Sequence, residues 1–129
     1  MIFIIALDPN NGVSFNCRRQ SRDALGAAKV LEKLDERNLW VSPKAAKLFA
    51  GAPNLCPDEE YFAKSGDEDA CFAEELPPVW EKITEIWVLR WDKVYPADVK
   101  MDLEGWKLTE TEEFAGSSHE TLTLEIYRR

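Results

Sequence analysis

With 129 residues, 45% hydrophobic and 11% aromatic, the chain can bury one sizeable core, which predicts a single domain over residues 1–129. A formal net charge of −8 argues against a nucleic-acid partner, and a single histidine with three scattered cysteines argues against a metal site or a disulfide framework. The sequence shows no membrane-length apolar run and no basic leader, so we expect a cytoplasmic protein without a membrane partner.

The first predicted element is a strand over Met1 to Leu7. This unbroken, isoleucine-rich run is typical of a strand that is buried on both faces in the middle of a sheet. The following residues 8–12 read Asp-Pro-Asn-Asn-Gly, and this composition predicts a tight turn.

The second predicted element is a helix over residues 21–34, with Ser21 as N-cap, apolar residues at helical spacing and Asp23 in the first turn. A right-handed crossover then leads to a short strand at 38–41. Ser42-Pro43 predicts the start of another helix that continues to about Phe49.

The middle of the chain, residues 50–69, is rich in glycine, proline and acidic residues and predicts a loop insert with at most one helical turn, at 57–64. We expect a strand at 70–73, a brief helix at 77–82 and a long strand at 83–91. Two extended runs, 106–114 and 120–128, predict a terminal antiparallel hairpin with its turn at 115–119. This order predicts an α/β fold with a mixed sheet and a ligand site outside the carboxyl ends of its parallel strands.

Both ends of the chain resemble dihydrofolate reductase, over residues 1–49 and 83–129. The matching segments are Ala6-Leu7-Asp8, Asn10-Asn11-Gly12-Val13, the helix that opens with an aspartate, Tyr95-Pro96, Trp106-Lys107-Leu108 and Glu112-Glu113-Phe114. The resemblance implies a shortened three-layer sandwich with a mixed, mostly parallel sheet. Two strings, Asn16 to Asp23 and Phe114 to Glu120, are similar to those of short dihydrofolate reductase-like proteins of Gram-positive anaerobes, with their Asn-x-Arg-Arg-Gln-Ser-x-Asp loop.

By this resemblance, Asp23 occupies the position of the family's one ionisable residue that contacts the pterin. A carboxylate there hydrogen-bonds the amino-pyrimidine face and assists protonation when burial tunes its pKa. The alternative is that Asp23 is only a first-turn acid that interacts with the helix dipole. Similarly, we expect His119 to stabilise the hairpin turn rather than to take part in chemistry.

The chain departs from the family where the family holds NADPH. Ser42-Pro43-Lys44 replaces a Gly-Arg-Lys/His-Thr turn that grips phosphates, although Ser42 and Lys44 remain candidate cofactor contacts by position. Glu74-Glu75 replaces the family's Gly-Gly pair. Leu89 is nearest to the position where the family often has a threonine, and the family's mobile loop is shorter in this chain. The resemblance thus implies NADPH as cofactor while most of the residues that would bind it are replaced.

A cluster of arginines, an amide and a hydroxyl precedes the first helix and predicts an anion site. The candidate ligand-binding residues are Asn16, Arg18, Arg19, Gln20, Ser21, Arg22 and Glu74. The alternative is that the arginines pair with Glu74, Glu75 or the acidic insert and only hold loops together.

Two functional classes remain at this point. The first is a binding protein for a small anionic, pterin-like or nucleotide-like molecule, and the sequence favours this class. The second is an NADPH-dependent pterin reductase with Asp23 as its acid. A shortened sheet also predicts an exposed edge, which a homodimer would cover.

Overall fold

The computed structural model describes all residues, 1–129, as ten strands and two α-helices. The strands are β1 (Ile2–Leu7), β2 (Gly12–Phe15), β3 (Arg18–Arg19), β4 (Leu39–Val41), β5 (Leu55–Pro57), β6 (Ala70–Ala73), β7 (Glu85–Arg90), β8 (Val99–Lys100), β9 (Lys107–Ala115) and β10 (Thr121–Arg128). The helices are α1 (Ala24–Leu34) and α2 (Tyr61–Lys64), with a 3₁₀ turn at Ala46–Phe49. None of the helices is both long and apolar enough to cross a membrane.

Seven strands form one mixed sheet in the order β5-β4-β6-β1-β7-β10-β9. The neighbours from β5 through β7 pair in parallel, whereas β10 is antiparallel to both β7 and β9. The predicted mixed, mostly parallel α/β sheet with a terminal antiparallel hairpin is therefore confirmed. β9 forms one edge of the sheet and is exposed along most of its length.

The core lies on both faces of this sheet, as the isoleucine-rich first strand predicts. Ile2 and Ile4 pack on one face with Val30 and Leu34 of α1. On the opposite face, Phe3, Ile5 and Leu7 of β1 pack with side chains from other elements. Their partners include Phe62, Ile86, Val88 and Met101. This alternation along a strand gives the chain its three layers.

A small second sheet, in the order β3-β2-β8, lies after the first strand and was not predicted. β2 and β3 are joined by Asn16 and Cys17, both with positive φ (52° and 62°), as a two-residue hairpin turn requires. The amide of Asn16 donates to the Asp98 carboxylate at 3.0 Å, which ties this turn to the segment before β8. The hairpin gives the arginine segment a defined backbone.

Several predicted boundaries were wrong. The helix begins at Ala24 rather than residue 21, and its N-cap is Asp23 rather than Ser21. The loop insert contains β5, because residues 55–57 pair in parallel with β4, a long-range contact that no local pattern reveals. Residues 77–82 form turns rather than a helix, and the helix predicted after Ser42-Pro43 is only the 3₁₀ turn.

Candidate anion-binding site

A cavity of about 750 Å³ opens where β4 and β6 end, at the carboxyl side of the parallel strands. Its lining residues come from four parts of the chain. These are residues 17–22 of the β2–β3 hairpin and the segment after it (the arginine hairpin), the turn after β4, the start of α2 and the segment after β6. The lining residues are Cys17, Arg18, Arg19, Gln20, Ser21, Arg22, Ser42, Lys44, Glu59, Tyr61, Glu74 and Glu75. We call this the arginine cavity.

Arg22 and Glu74 form the central ion pair of the arginine cavity. Arg22 Nε and Nη2 donate to the two Glu74 carboxylate oxygens at 3.0 and 2.8 Å, a bidentate geometry that Lys cannot reproduce. Arg19 Nε approaches the same carboxylate at 3.7 Å. The hydrogen bonds that Arg22 donates to Glu74 raise the pKa of Arg22, so the guanidinium stays charged. The structural-pairing alternative is therefore observed for Arg22 and, more loosely, for Arg19.

Arg18 and Lys44 differ from Arg22, because neither side chain forms an ion pair or a hydrogen bond within the chain. Four cationic and three anionic side chains line the arginine cavity, which leaves a net charge of +1. The surrounding chain carries a formal net charge of −8. The cavity is thus a local positive site in an acidic protein.

The turn after β4 is held by Ser42. The Ser42 hydroxyl and carbonyl both accept from the amide of Ala45, at 3.2 and 3.1 Å, and the carbonyl also accepts from the amide of Ala46. Arg22 Nη2 reaches the carbonyl of Lys44 at 3.4 Å and joins this turn to the arginine hairpin. The amides of Ala45 and Ala46, at the start of the 3₁₀ turn, are therefore already bonded to Ser42.

The opposite wall of the arginine cavity contains residues that sequence reasoning missed. The Tyr61 hydroxyl donates to Glu75 at 3.2 Å, and Glu59 lies beside them. Burial and the neighbouring Glu75 raise the pKa of Tyr61, so the phenol remains a neutral donor. No local pattern in the acidic insert indicated this placement, because it depends on the pairing of β5 with β4.

Asp23 lies outside the arginine cavity, and its carboxylate is fully buried against the hairpin turn between β9 and β10. One oxygen accepts from the amide of Gly26 at 3.0 Å, which caps α1. The amides of Ser117 and Ser118 donate at 3.0 and 2.9 Å, and both serine hydroxyls lie at 3.1 Å. We call this contact between the helix and the hairpin the Asp23 latch.

His119 completes the Asp23 latch. Its Nδ1 lies 3.1 Å from Asp23 Oδ2, and its Nε2 lies 2.7 Å from the Tyr95 hydroxyl. Because a carboxylate only accepts, Nδ1 carries the proton, and in the neutral ring Nε2 accepts from Tyr95. The imidazole also stacks on Trp91, with ring centroids 4.5 Å apart. His119 therefore has the structural setting that the sequence favoured, with more partners than a turn alone supplies.

The pKa of Asp23 follows from this environment. Burial alone would raise it, but hydrogen bonds from Ser117, Gly26, His119 and Ser118 outweigh burial and hold the pKa well below its ordinary value. A carboxyl group in this state is an anion at neutral pH and has no proton to deliver. The alternative predicted from the sequence placed Asp23 in the first turn of the helix, whereas the structure places it just before that turn, as the N-cap of α1. Its role as an acid stays a prediction.

A slot lined in part by Ala6, Ala73, Trp91 and Gln20 has a volume of about 10 Å³, which is about the room of one water molecule. Asp23 does not line it. Of the other predicted ligand residues, Asn16 lies in the hairpin turn rather than in the arginine cavity, whereas the remaining six converge there.

Comparison with known proteins identifies the fold. The structure matches a dihydrofolate reductase from Enterococcus faecalis, in complex with NADP(H) and RAB-propyl, with a TM-score of 0.62 over 99% of this chain and 95% of that chain. The sequence identity is 12%, so the likeness concerns the fold. No protein-family model and no curated protein sequence matches the chain. The chain therefore has the dihydrofolate reductase fold, as the resemblance of its two ends implied.

Proposed function

We propose that this protein binds a small anion in the arginine cavity. The observation that supports this most directly is the pair of cationic side chains, Arg18 and Lys44, that line the cavity without a partner in the chain. An arginine offers fixed donor geometry to a phosphate or a carboxylate, and the lysine ammonium group adds a second positive charge. The Arg22–Glu74 ion pair lines the same cavity.

An NADPH site is the function that the fold of the matched reductase suggests, and the residues of the arginine cavity do not fit it. Glu74 stands where the family's glycine pair would admit a pyrophosphate, and its carboxylate is bound to Arg22 inside the cavity. The amides of Ala45 and Ala46 already donate to Ser42, and Pro43 has no amide hydrogen. The second phosphate group of the NADPH pyrophosphate would therefore lie near carboxylates of the cavity rather than near hydrogen-bond donors.

A pterin site is the other half of that function, and the structure offers it little support. The Asp23 carboxylate already accepts hydrogen bonds from five donors of its own chain outside His119, so it offers little acceptor capacity to a pterin. The reductase alternative therefore rests on the fold alone. A binding function requires no rearrangement of the Asp23 latch.

Calorimetric titration of the full chain with inorganic phosphate, NADPH and dihydrofolate tests the proposal. We expect saturable phosphate binding that weakens as salt is added, because screening acts on exposed charges. The double substitution Arg18→Ala with Lys44→Ala should weaken binding by about tenfold or more, with about 1 kcal/mol lost per charge. The matched control is Lys107→Ala, since Lys107 is exposed on β9 and lines no part of the cavity.

The outcomes separate the two functions. Phosphate affinity that is unchanged in the double variant would contradict the arginine cavity as the site. Saturable NADPH binding, together with dihydrofolate turnover that is lost in Asp23→Asn under conditions where circular dichroism shows the variant to be folded, would replace the proposal with the reductase. Homodimerisation stays a prediction, which light scattering at high protein concentration would test.

A further inference from the structure

A second cavity of about 430 Å³ lies next to the arginine cavity, between α2 and the segment after β6. Its lining is more apolar than that of the arginine cavity. The residues are Phe3, Glu59, Glu60, Tyr61, Phe62, Ala63, Ala73, Glu75, Leu76, Pro77 and Pro78. We call it the apolar cavity.

The two cavities adjoin each other, because Glu59, Tyr61 and Glu75 line both of them. The hydrogen bond from Tyr61 to Glu75 marks their common border. Beyond this border, Leu76 is 39% exposed, although it is a large aliphatic residue. Pro77 and Pro78 continue the apolar wall from Leu76. Ligand pockets are concave and lined largely by apolar side chains, so the cavity beside Leu76 is suited to an apolar group.

We infer that the ligand is an organic anion with one anionic group and an apolar body, which reaches from the arginine cavity across Tyr61 into the apolar cavity. This inference rests on the proposed function and adds the chemical class of the ligand. The anionic group contacts Arg18 and Lys44, and the apolar body covers the exposed Leu76 and Pro78. A hydroxyl, amine or amide hydrogen on the ligand can donate to Glu75 or Glu59 at the border.

The restriction to one anionic group follows from the charges at the border. Glu59 and Glu75 line both cavities and Glu60 lines the apolar cavity, so an anionic group on the side of the apolar cavity would lie among carboxylates. A second phosphate in line with the first would be repelled there and would lose its water without gaining a cation. The site therefore selects phenyl phosphate over pyrophosphate, although the latter carries more charge.

Calorimetric titration with three probes tests this class: inorganic phosphate, phenyl phosphate and pyrophosphate. We expect phenyl phosphate to bind about tenfold more tightly than phosphate, as burial of its ring predicts. Pyrophosphate should bind no more tightly than phosphate. In Leu76→Ser the advantage of phenyl phosphate should shrink severalfold while phosphate affinity is unchanged. The matched control is Leu108→Ser, because Leu108 is similarly exposed but lies on β9.

Each result decides one question. Equal affinities for phosphate and phenyl phosphate, or pyrophosphate as the tightest of the three, would overturn this inference and leave anion binding in place. Failure of all three probes to bind would instead overturn the proposed function. Loss of phosphate affinity in Leu76→Ser would show that the residue shapes the arginine cavity rather than a subsite, and would also overturn the inference.

Discussion

Asp23→Asn should destabilise the fold strongly, because it replaces a buried carboxylate that accepts several hydrogen bonds with a side chain that has only one acceptor oxygen. The amides of Gly26, Ser117 and Ser118 all donate to this carboxylate within 3.0 Å. The amide side chain keeps one oxygen and turns an NH₂ group toward one set of donors. Loss of two charge-assisted hydrogen bonds, at about 1.5–3 kcal/mol each, is offset in part by rotation of the serine hydroxyls. We therefore expect a loss of about 3 kcal/mol in the free energy of unfolding.

The same substitution should flatten the acid limb of the stability curve. The folded-state pKa of Asp23 lies below its ordinary value, so its contribution is present above the unfolded-state pKa of about 4 and is lost as the pH falls through the folded-state pKa. Wild-type stability should decline below about pH 4, and the decline should be shallower in Asp23→Asn. Part of the acid-dependent decline should remain in Asp23→Asn, because the pKa of Asp8 is also lowered.

Urea denaturation, followed by tryptophan fluorescence and circular dichroism over a series of pH values, measures both effects. The slope of the unfolding free energy against urea should be unchanged, since the same surface is exposed on unfolding. Asp67→Asn is the matched control, because Asp67 is exposed and forms no side-chain hydrogen bond. A loss below about 1 kcal/mol, or an acid limb identical to that of the wild type, would refute the Asp23 latch.

Two further substitutions probe the Asp23 latch and the arginine cavity. Gly116→Ala should cost about 2 kcal/mol in thermal unfolding, because an added Cβ would lie 2.6 Å from the His119 carbonyl oxygen and 2.7 Å from Asp23 Oδ2; a loss no larger than that of Gly66→Ala would contradict it. Glu74→Gln should increase phosphate affinity about fivefold, since it frees the charge of Arg22 at a cost of about 1 kcal/mol to the existing pair. Unchanged or weaker phosphate binding in the latter variant would show that Arg22 does not reach the ligand.

The parts of the fold that the sequence predicted well are those with strong local patterns. The buried first strand, the main helix, the strand at 70–73 and the terminal hairpin all carry apolar periodicity or turn residues that few other structures accept. β5 lacked such a signal, because Leu55–Pro57 is three residues long and its pairing with β4 is non-local. The segment 77–82 has a proline pair that suits a helix start, but its tryptophan and neighbours pack as turns.

The candidate site shows the same division. The arginine segment was recognisable because its charges are contiguous and stand out in an acidic chain. Tyr61 and Glu59 were not, because they reach the arginine cavity only through the crossover from β5 to α2. The partner of Asp23 was also hidden, since the Ser117–His119 turn lies more than ninety residues away along the chain.

The Asp23 latch and the arginine cavity are joined by the short segment between β3 and α1. The hairpin turn between β9 and β10 supplies donors to the Asp23 carboxylate, which thereby holds the start of α1 against this turn. With Asp23 at the N-cap, α1 begins at Ala24, and residues 16–22 are free to form the hairpin turn and its arginine-bearing strand. The hairpin then turns Arg18, Arg19 and Arg22 toward the carboxyl ends of β4 and β6. A substitution that opened the Asp23 latch would therefore be expected to disorder the arginine cavity as well, so phosphate affinity and thermal stability should fall together in Gly116→Ala but not in Arg18→Ala.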